Sequence, residues 1–109
     1  MSSTVRALIH VPRPVRPGDV VEIRATIAHV METGHRPDAE GRRVPRDIVT
    51  RFECQLDGTS VFAADVYSAV AANPYFAFTL RAERSGTLVL TWEGDRGFRH
   101  RETAALEVT

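Results

Sequence analysis

Hydrophobic and polar residues alternate along most of this chain, which is the pattern of half-buried β-strands. The clearest run covers residues 21–27, where every second residue is apolar: Val21, Ile23, Ala25 and Ile27. A turn precedes it at Arg16-Pro17-Gly18-Asp19, because proline presets φ and glycine accepts a positive φ. The first strand, around Val5–Val11, is therefore expected to pair with the second or to face it from an opposite sheet.

Four further alternating runs and one short strand, Val61–Val66, follow. The turn dipeptide Asp57-Gly58 ends one run, and Ser85-Gly86 and Asp95-Arg96-Gly97 flank another. The residues expected to face inward are Phe52, Cys54, Leu56, Phe76, Phe78, Leu80, Leu88, Leu90, Trp92, Ala104, Leu106 and Val108. About seven short antiparallel strands without a long amphipathic helix predict an all-β sandwich, as a single domain over residues 1–109.

Two segments depart from this alternation. The polar stretch Glu32–Pro45 is long for a connection in a sandwich, which indicates a functional loop. The segment Tyr67–Tyr75 is expected to hold one helical turn, which Asn73-Pro74 stops.

Charge and composition exclude several classes of protein. Fourteen arginines balance fourteen acidic residues, and lysine is absent, so nothing favours a nucleic-acid partner. No apolar run is long enough to cross a membrane, and prolines interrupt the only apolar stretch near the start. We therefore expect no membrane span and no signal peptide of the chain's own.

Candidate catalytic and metal-binding residues are few. Cys54 is the only cysteine, and the four histidines have no metal-binding spacing, so no metal or other cofactor is predicted. Cys54 with His29 or His35 could be imagined as part of a nucleophilic triad, but Cys54 shares a face with core residues, where a thiol is inert. Glu93 and Asp95 lie beside a turn and are interpreted as solvated acids. No catalytic residue is predicted.

The segment Met31-Glu32-Thr33-Gly34-His35-Arg36 concentrates an apolar thioether with charged and polar groups at the end of a strand. Two readings are equally good on spacing alone. The segment recognises a partner or ligand, or Thr33-Gly34 is a simple turn among solvated charges.

Three stretches together resemble the SoxZ family of the thiosulfate-oxidising Sox system: AHVMETGHRPDAEGRRVPRDIVTRFEC, DGTSVFAADV and AVAANPYFAFTLRAERSGTLVLTWEGDRG. The most specific parts are Met31-Glu32-Thr33-Gly34 with Pro45-Arg46, the strand of Phe52 and Cys54, and Ala71-Ala72-Asn73-Pro74-Tyr75. The resemblance spans nearly the whole chain and implies an immunoglobulin-like β-sandwich.

The resemblance also implies a role. A SoxZ-like chain is a non-catalytic subunit that pairs with SoxY, whose mobile arm carries sulfur on a cysteine, and the heterodimer docks transiently to other Sox enzymes in the periplasm. Export would occur together with a signal-bearing SoxY. The alternatives are a protein that binds sulfur oxyanions directly and a generic immunoglobulin-like interaction module.

On this interpretation the partner-binding residues lie in two segments and one nearby arginine. They are Met31, Glu32, Thr33, Gly34, His35, Arg36, Arg46, Asn73, Pro74 and Tyr75. Arg36 and Arg46 are also available to anionic groups such as a carboxylate or a sulfonate-like adduct. An intermolecular disulfide through Cys54 ranks below a buried thiol.

Overall fold

The computed structural model describes residues 6–67 and 72–109 and contains seven strands in this part of the chain. The strands are β1 (Ala7–His10), β2 (Asp19–Ile27), β3 (Val49–Leu56), β4 (Thr59–Asp65), β5 (Tyr75–Ala82), β6 (Gly86–Gly94) and β7 (Arg99–Leu106). A short 3₁₀ segment, Asp95–Gly97, joins the last two. The same part of the chain holds no helix that is long and apolar enough to cross a membrane.

The strands form two antiparallel sheets. The first has three strands in the order β1-β2-β5, and the second has four in the order β4-β3-β6-β7. The predicted all-β sandwich of about seven strands is therefore confirmed. The first two strands pair directly, with Ala7 opposite Ile27 and His10 opposite Arg24.

The core lies between the sheets, because alternate residues of β2, β5 and β6 are buried. Phe52 and Trp92 are fully buried and lie opposite each other on β3 and β6. The ring of Phe52 stacks on Phe76 with centroids 4.4 Å apart, and Phe62 stacks on Phe78 at 4.7 Å. Aromatic rings from both sheets thus fill the space between β4 and β5.

Two of the predicted turns form as the sequence indicates. Gly18 has φ +90° and the amide of Asp19 donates to the carbonyl of Arg16 at 3.0 Å, so Pro17-Gly18 makes a tight turn. Asp57 and Gly58 both have positive φ and join β3 to β4 as a two-residue hairpin.

Two expectations concern regions that the structure describes only in part. The first strand runs from Ala7 to His10, shorter than expected, and Val5 lies outside the described residues. The helical turn expected in Tyr67–Tyr75 falls largely on residues 68–71, which are also outside them.

Candidate partner-binding end of the sandwich

Three connections meet at one end of the sandwich, which we call the loop end: residues 28–48 between β2 and β3, the described residues 66–67 and 72–74 between β4 and β5, and residues 95–98 between β6 and β7. They meet there because each follows a strand that runs toward that end. The predicted partner-binding segments therefore come together in space, although more than 30 residues separate them in sequence. Their role in binding stays a prediction.

The first and second connections are tied through His29 and Asn73. The Asn73 side-chain oxygen accepts a hydrogen bond from the His29 amide at 2.9 Å, and the Asn73 amide donates to the His29 carbonyl at 2.7 Å. Asn73 adopts a left-handed conformation with φ +54°, which asparagine tolerates better than most residues. Pro74 beside it is buried. These residues fix the position from which Tyr75 starts β5.

Met31 lies inside the core, with 5% of its surface exposed. The Val49 amide donates to its sulfur at 3.2 Å, and the Met31 amide donates to Nδ1 of His29 at 3.1 Å. The backbone of Met31 has φ +54°, a strained conformation for a side chain of this size. Met31 therefore anchors the base of the long loop, and its side chain is not part of the solvent-facing surface.

Gly34 allows the two halves of the same loop to approach each other. Its φ of +87° lies in the left-handed region, and a Cβ at this position would come within 3.1 Å of the Arg46 Cβ. The base of the loop is closed by reciprocal amide-to-carbonyl bonds of 2.8 Å between Glu32 and Asp47. These contacts hold the loop in a defined conformation. This argues against the interpretation of Thr33-Gly34 as a simple turn among solvated charges.

The two arginines predicted to meet anions each hold a carboxylate of the same chain. Arg36 contacts Glu32 with a shortest N–O distance of 2.7 Å, and Arg46 holds both oxygens of Asp95 at 2.8 Å. These contacts lower the pKa of Glu32 and of Asp95, because each carboxylate accepts hydrogen bonds from a guanidinium. An external anion would have to compete with these carboxylates.

Asp95 is a residue of the candidate site that the sequence interpretation missed. It was expected to be a solvated acid, but it binds Arg46 and also accepts a hydrogen bond from the Ile48 amide at 3.2 Å. The 3₁₀ segment therefore holds the end of the long loop against β6. A contact across 49 residues has no local signature in the sequence.

The remaining predicted residues are largely on the surface of the loop end. His35 is exposed, and its amide donates to the Thr33 hydroxyl at 3.2 Å. Tyr75 is 58% exposed on the outer side of β5. Thr33 and Glu32 are half-buried.

Cys54 lies away from the loop end, in the middle of β3. It is fully buried, and burial raises the pKa of its thiol to about 12. This confirms the interpretation of Cys54 as a core thiol. Among residues 6–67 and 72–109, no three or more His, Cys, Asp or Glu side chains converge in a way that would hold a metal ion.

Comparison with known proteins identifies the family. The family model described as "Sulphur oxidation protein SoxZ" matches residues 9–105, nearly the whole chain. No curated protein matches the sequence. Two variants of the superoxide reductase (neelaredoxin) from Ignicoccus hospitalis are similar in structure, each with a TM-score of 0.69, 15% identity, and coverage of 94% of this chain and 79% of theirs.

At that identity the superoxide reductases share only the fold with this chain. The SoxZ match, in contrast, includes the β2–β3 loop, the strand β3 that carries Cys54, and the Asn73-Pro74-Tyr75 segment. The chain therefore belongs to the SoxZ family and has a role in sulfur oxidation by the Sox system.

Proposed function

We propose that this chain is a non-catalytic subunit of a sulfur-carrier complex, and that it binds a SoxY-like protein whose flexible cysteine arm holds the covalent sulfur substrate. In this proposal the chain positions the carrier while Sox enzymes dock to the complex in the periplasm. The role in sulfur oxidation follows from the family assignment. The binding of a SoxY-like partner is what we propose in addition.

The observation that carries the proposal is the state of Cys54. A covalent sulfur carrier needs an accessible thiol that ionises near neutral pH. The only thiol of this chain is buried between the sheets, and its pKa is raised to about 12. The reactive thiol of the system would then come from a partner.

The loop end supports partner binding over direct binding of sulfur oxyanions. Arg36 and Arg46 already donate to Glu32 and Asp95, so neither offers an uncommitted guanidinium to a small anion. The same ion pairs and the Glu32–Asp47 bonds give the loop a fixed shape, which favours recognition by a protein surface.

Co-expression with a SoxY-like protein tests the proposal. The carrier would bear the affinity tag, and the wild-type chain would be compared with a Cys54→Ala variant in buffer with and without reductant. We expect both chains to co-purify with the carrier at one to one under all conditions, because the association is non-covalent.

Loss of the complex on reduction, or with Cys54→Ala in a folded chain, would contradict this mechanism and assign the link to a Cys54 disulfide. Absence of any complex, together with thiosulfate binding or consumption by the isolated chain, would instead favour a directly acting protein.

A further inference from the structure

Exposed apolar surface is concentrated on one face of this sandwich. Among the described residues, five large apolar side chains are exposed, and three of them point outward from the three-stranded sheet: Leu8, Val20 and Tyr75. The other two, Val30 and Tyr67, lie in connections at the loop end. We call the outward side of β1, β2 and β5 the β1-β2-β5 face.

Leu8 and Tyr75 lie at the part of this face that borders the loop end, whereas Val20 lies at its far end, opposite Arg81. Leu8 is 76% exposed and lies opposite Thr26 on β2, and Thr26 lies opposite Tyr75 on β5. These three residues form one row across the sheet, and neighbouring strands are about 4.8 Å apart. A shallow groove of about 270 Å³ adjoins the row and is lined by Arg6, Leu8, Thr26, Ala28 and Asn73. A groove of this kind accepts an apolar side chain of a partner.

The outward side of the other sheet has a different character. Its groove of about 200 Å³ is lined by Glu53, Gln55, Val89, Thr91, Glu93, Arg99 and Arg101, which are mostly polar or charged. None of the five exposed large apolar side chains in residues 6–67 and 72–109 points outward from its strands. The asymmetry between the faces is expected when one sheet faces solvent and the other faces a partner.

Charge indicates the character of the partner. The β1-β2-β5 face and its border carry three arginines, Arg6, Arg24 and Arg81, against two carboxylates, Glu22 and Glu83. Glu22 engages Arg24 at 2.6 Å, whereas Arg6 and Arg81 have no carboxylate partner in the described part of the chain. The complementary surface is an apolar centre with acidic residues at its border.

The size of the face also fits a protein partner. The three strands have 4, 9 and 8 residues and together present an area of roughly 330 Å². A stable interface uses about 800 Å² per partner, so the sheet supplies less than half and the adjoining loop end would supply the rest. Val30 and Tyr67 extend the apolar surface in that direction.

We propose that the β1-β2-β5 face, centred on the row Leu8, Thr26 and Tyr75, is the surface that binds the sulfur-carrier subunit through an apolar centre and an acidic border of that subunit. The inference rests on the proposed function, since it names the surface by which the carrier is held. It moves the centre of the interface from the tip of the long loop to the sheet beside it.

Calorimetric titration of purified variants with a SoxY-like carrier tests this surface. Leu8→Glu and Tyr75→Glu place a charge in the apolar row, and Thr103→Glu places the same charge at an exposed position of the other sheet as the control. We expect the Kd to rise at least about tenfold for the first two and to stay within about twofold for the control. Circular dichroism and thermal unfolding verify that each variant is folded.

Arg81→Glu gives a second, independent readout. We expect it to weaken binding at low ionic strength, with a difference from wild type that shrinks as salt is added, because the contact lies at the exposed border.

The outcomes separate this inference from the function on which it rests. If the wild-type chain binds the carrier while Leu8→Glu and Tyr75→Glu bind equally well, the surface is wrong and the proposed function stands. If those variants instead abolish self-association of the isolated chain and leave carrier binding intact, the face belongs to a second copy and the inference is overturned. If the wild-type chain does not bind the carrier, the proposed function fails first.

Discussion

Cys54 is held in the core as a buried thiol. It is fully buried on β3, where Phe62 and Leu90 lie opposite on the neighbouring strands. Apolar surroundings penalise the thiolate, which is the nucleophilic form, and so raise the pKa to about 12. The sequence predicted this burial correctly, because alternation alone places Cys54 on the side of Phe52.

We expect Cys54 of the native protein to resist thiol reagents at pH 8 and to react fully after unfolding in guanidinium chloride, as followed by absorbance with Ellman's reagent. The pKa of this thiol is about 12 in the folded protein and about 9 in the unfolded chain. The contribution of Cys54 to the free energy of unfolding is therefore fully present below pH 9 and declines as the pH rises further. Rapid stoichiometric labelling of the folded chain would contradict the buried state.

Asp95 shows what alternation does not reveal at the residue scale. Its carboxylate holds Arg46 by two bonds of 2.8 Å and accepts the Ile48 amide, which connects the β6–β7 segment to the long loop. The sequence indicates only an acid beside a turn, since a pairing between distant residues depends on how the sheets align.

Replacement of Asp95 by asparagine is expected to lower the Tm by a few degrees at pH 7, because the charge-assisted bonds to Arg46 are lost. The folded pKa of Asp95 is lowered, so this contribution is present above the ordinary carboxyl pKa of about 3.9 and is lost as the pH falls below it. Thermal unfolding of wild type and Asp95→Asn from pH 7 to pH 2 measures the difference in Tm that this contact causes.

Asp65→Asn is the matched control, since Asp65 is exposed and its contact with Arg51 is longer, at 3.4 Å. A difference between wild type and Asp95→Asn that persists unchanged to pH 2 would contradict the assigned ion pair.

At the scale of the elements, short-range features of the sequence were sufficient for the strands and for the tight turns. Period-two alternation predicted β2, β3, β5 and β6, because one side of each faces the core. The order of strands within the sheets was not predictable in the same way, since register depends on contacts between distant segments. The shape of the long β2–β3 loop depends on those same distant contacts.

Gly94 marks a close approach between two elements. A Cβ at this position would lie 2.5 Å from the Ile48 carbonyl oxygen and 3.2 Å from the Val49 Cα, where β3 begins beside the end of β6. Because the neighbouring atoms belong to the backbone, a side chain can be accommodated only if a strand moves.

We therefore expect Gly94→Ala to reduce the free energy of unfolding by about 1–3 kcal/mol, as measured by chemical denaturation. Glu93→Ala, at the adjacent exposed position, is the control and should stay within about 0.5 kcal/mol of wild type. Equal stability of Gly94→Ala and wild type would mean that the two strands are not packed this closely.

The whole molecule is a sandwich whose two outer surfaces differ. The four-stranded sheet presents a polar surface with charges of both signs, whereas the three-stranded sheet exposes Leu8, Val20 and Tyr75. From the sequence, Tyr75 was recognisable as an aromatic residue on the outward side of its strand. Leu8 was not, because only the pairing of β1 with β2 places it in a row with Thr26 and Tyr75.

This asymmetry gives the molecule one surface suited to a partner and one suited to solvent. The loop end, with its internal ion pairs, borders the apolar surface and extends it. The proposed complex therefore needs no reactive group from this chain. This is consistent with the burial of its only thiol, Cys54, in the core.

Sedimentation velocity of this chain with a purified SoxY-like carrier in reducing buffer shows directly whether the two proteins form a non-covalent complex. We expect a one-to-one complex that persists under reduction and dissociates with Leu8→Glu. Two independently sedimenting species at micromolar concentrations, with thiosulfate bound or consumed by this chain alone, would contradict it.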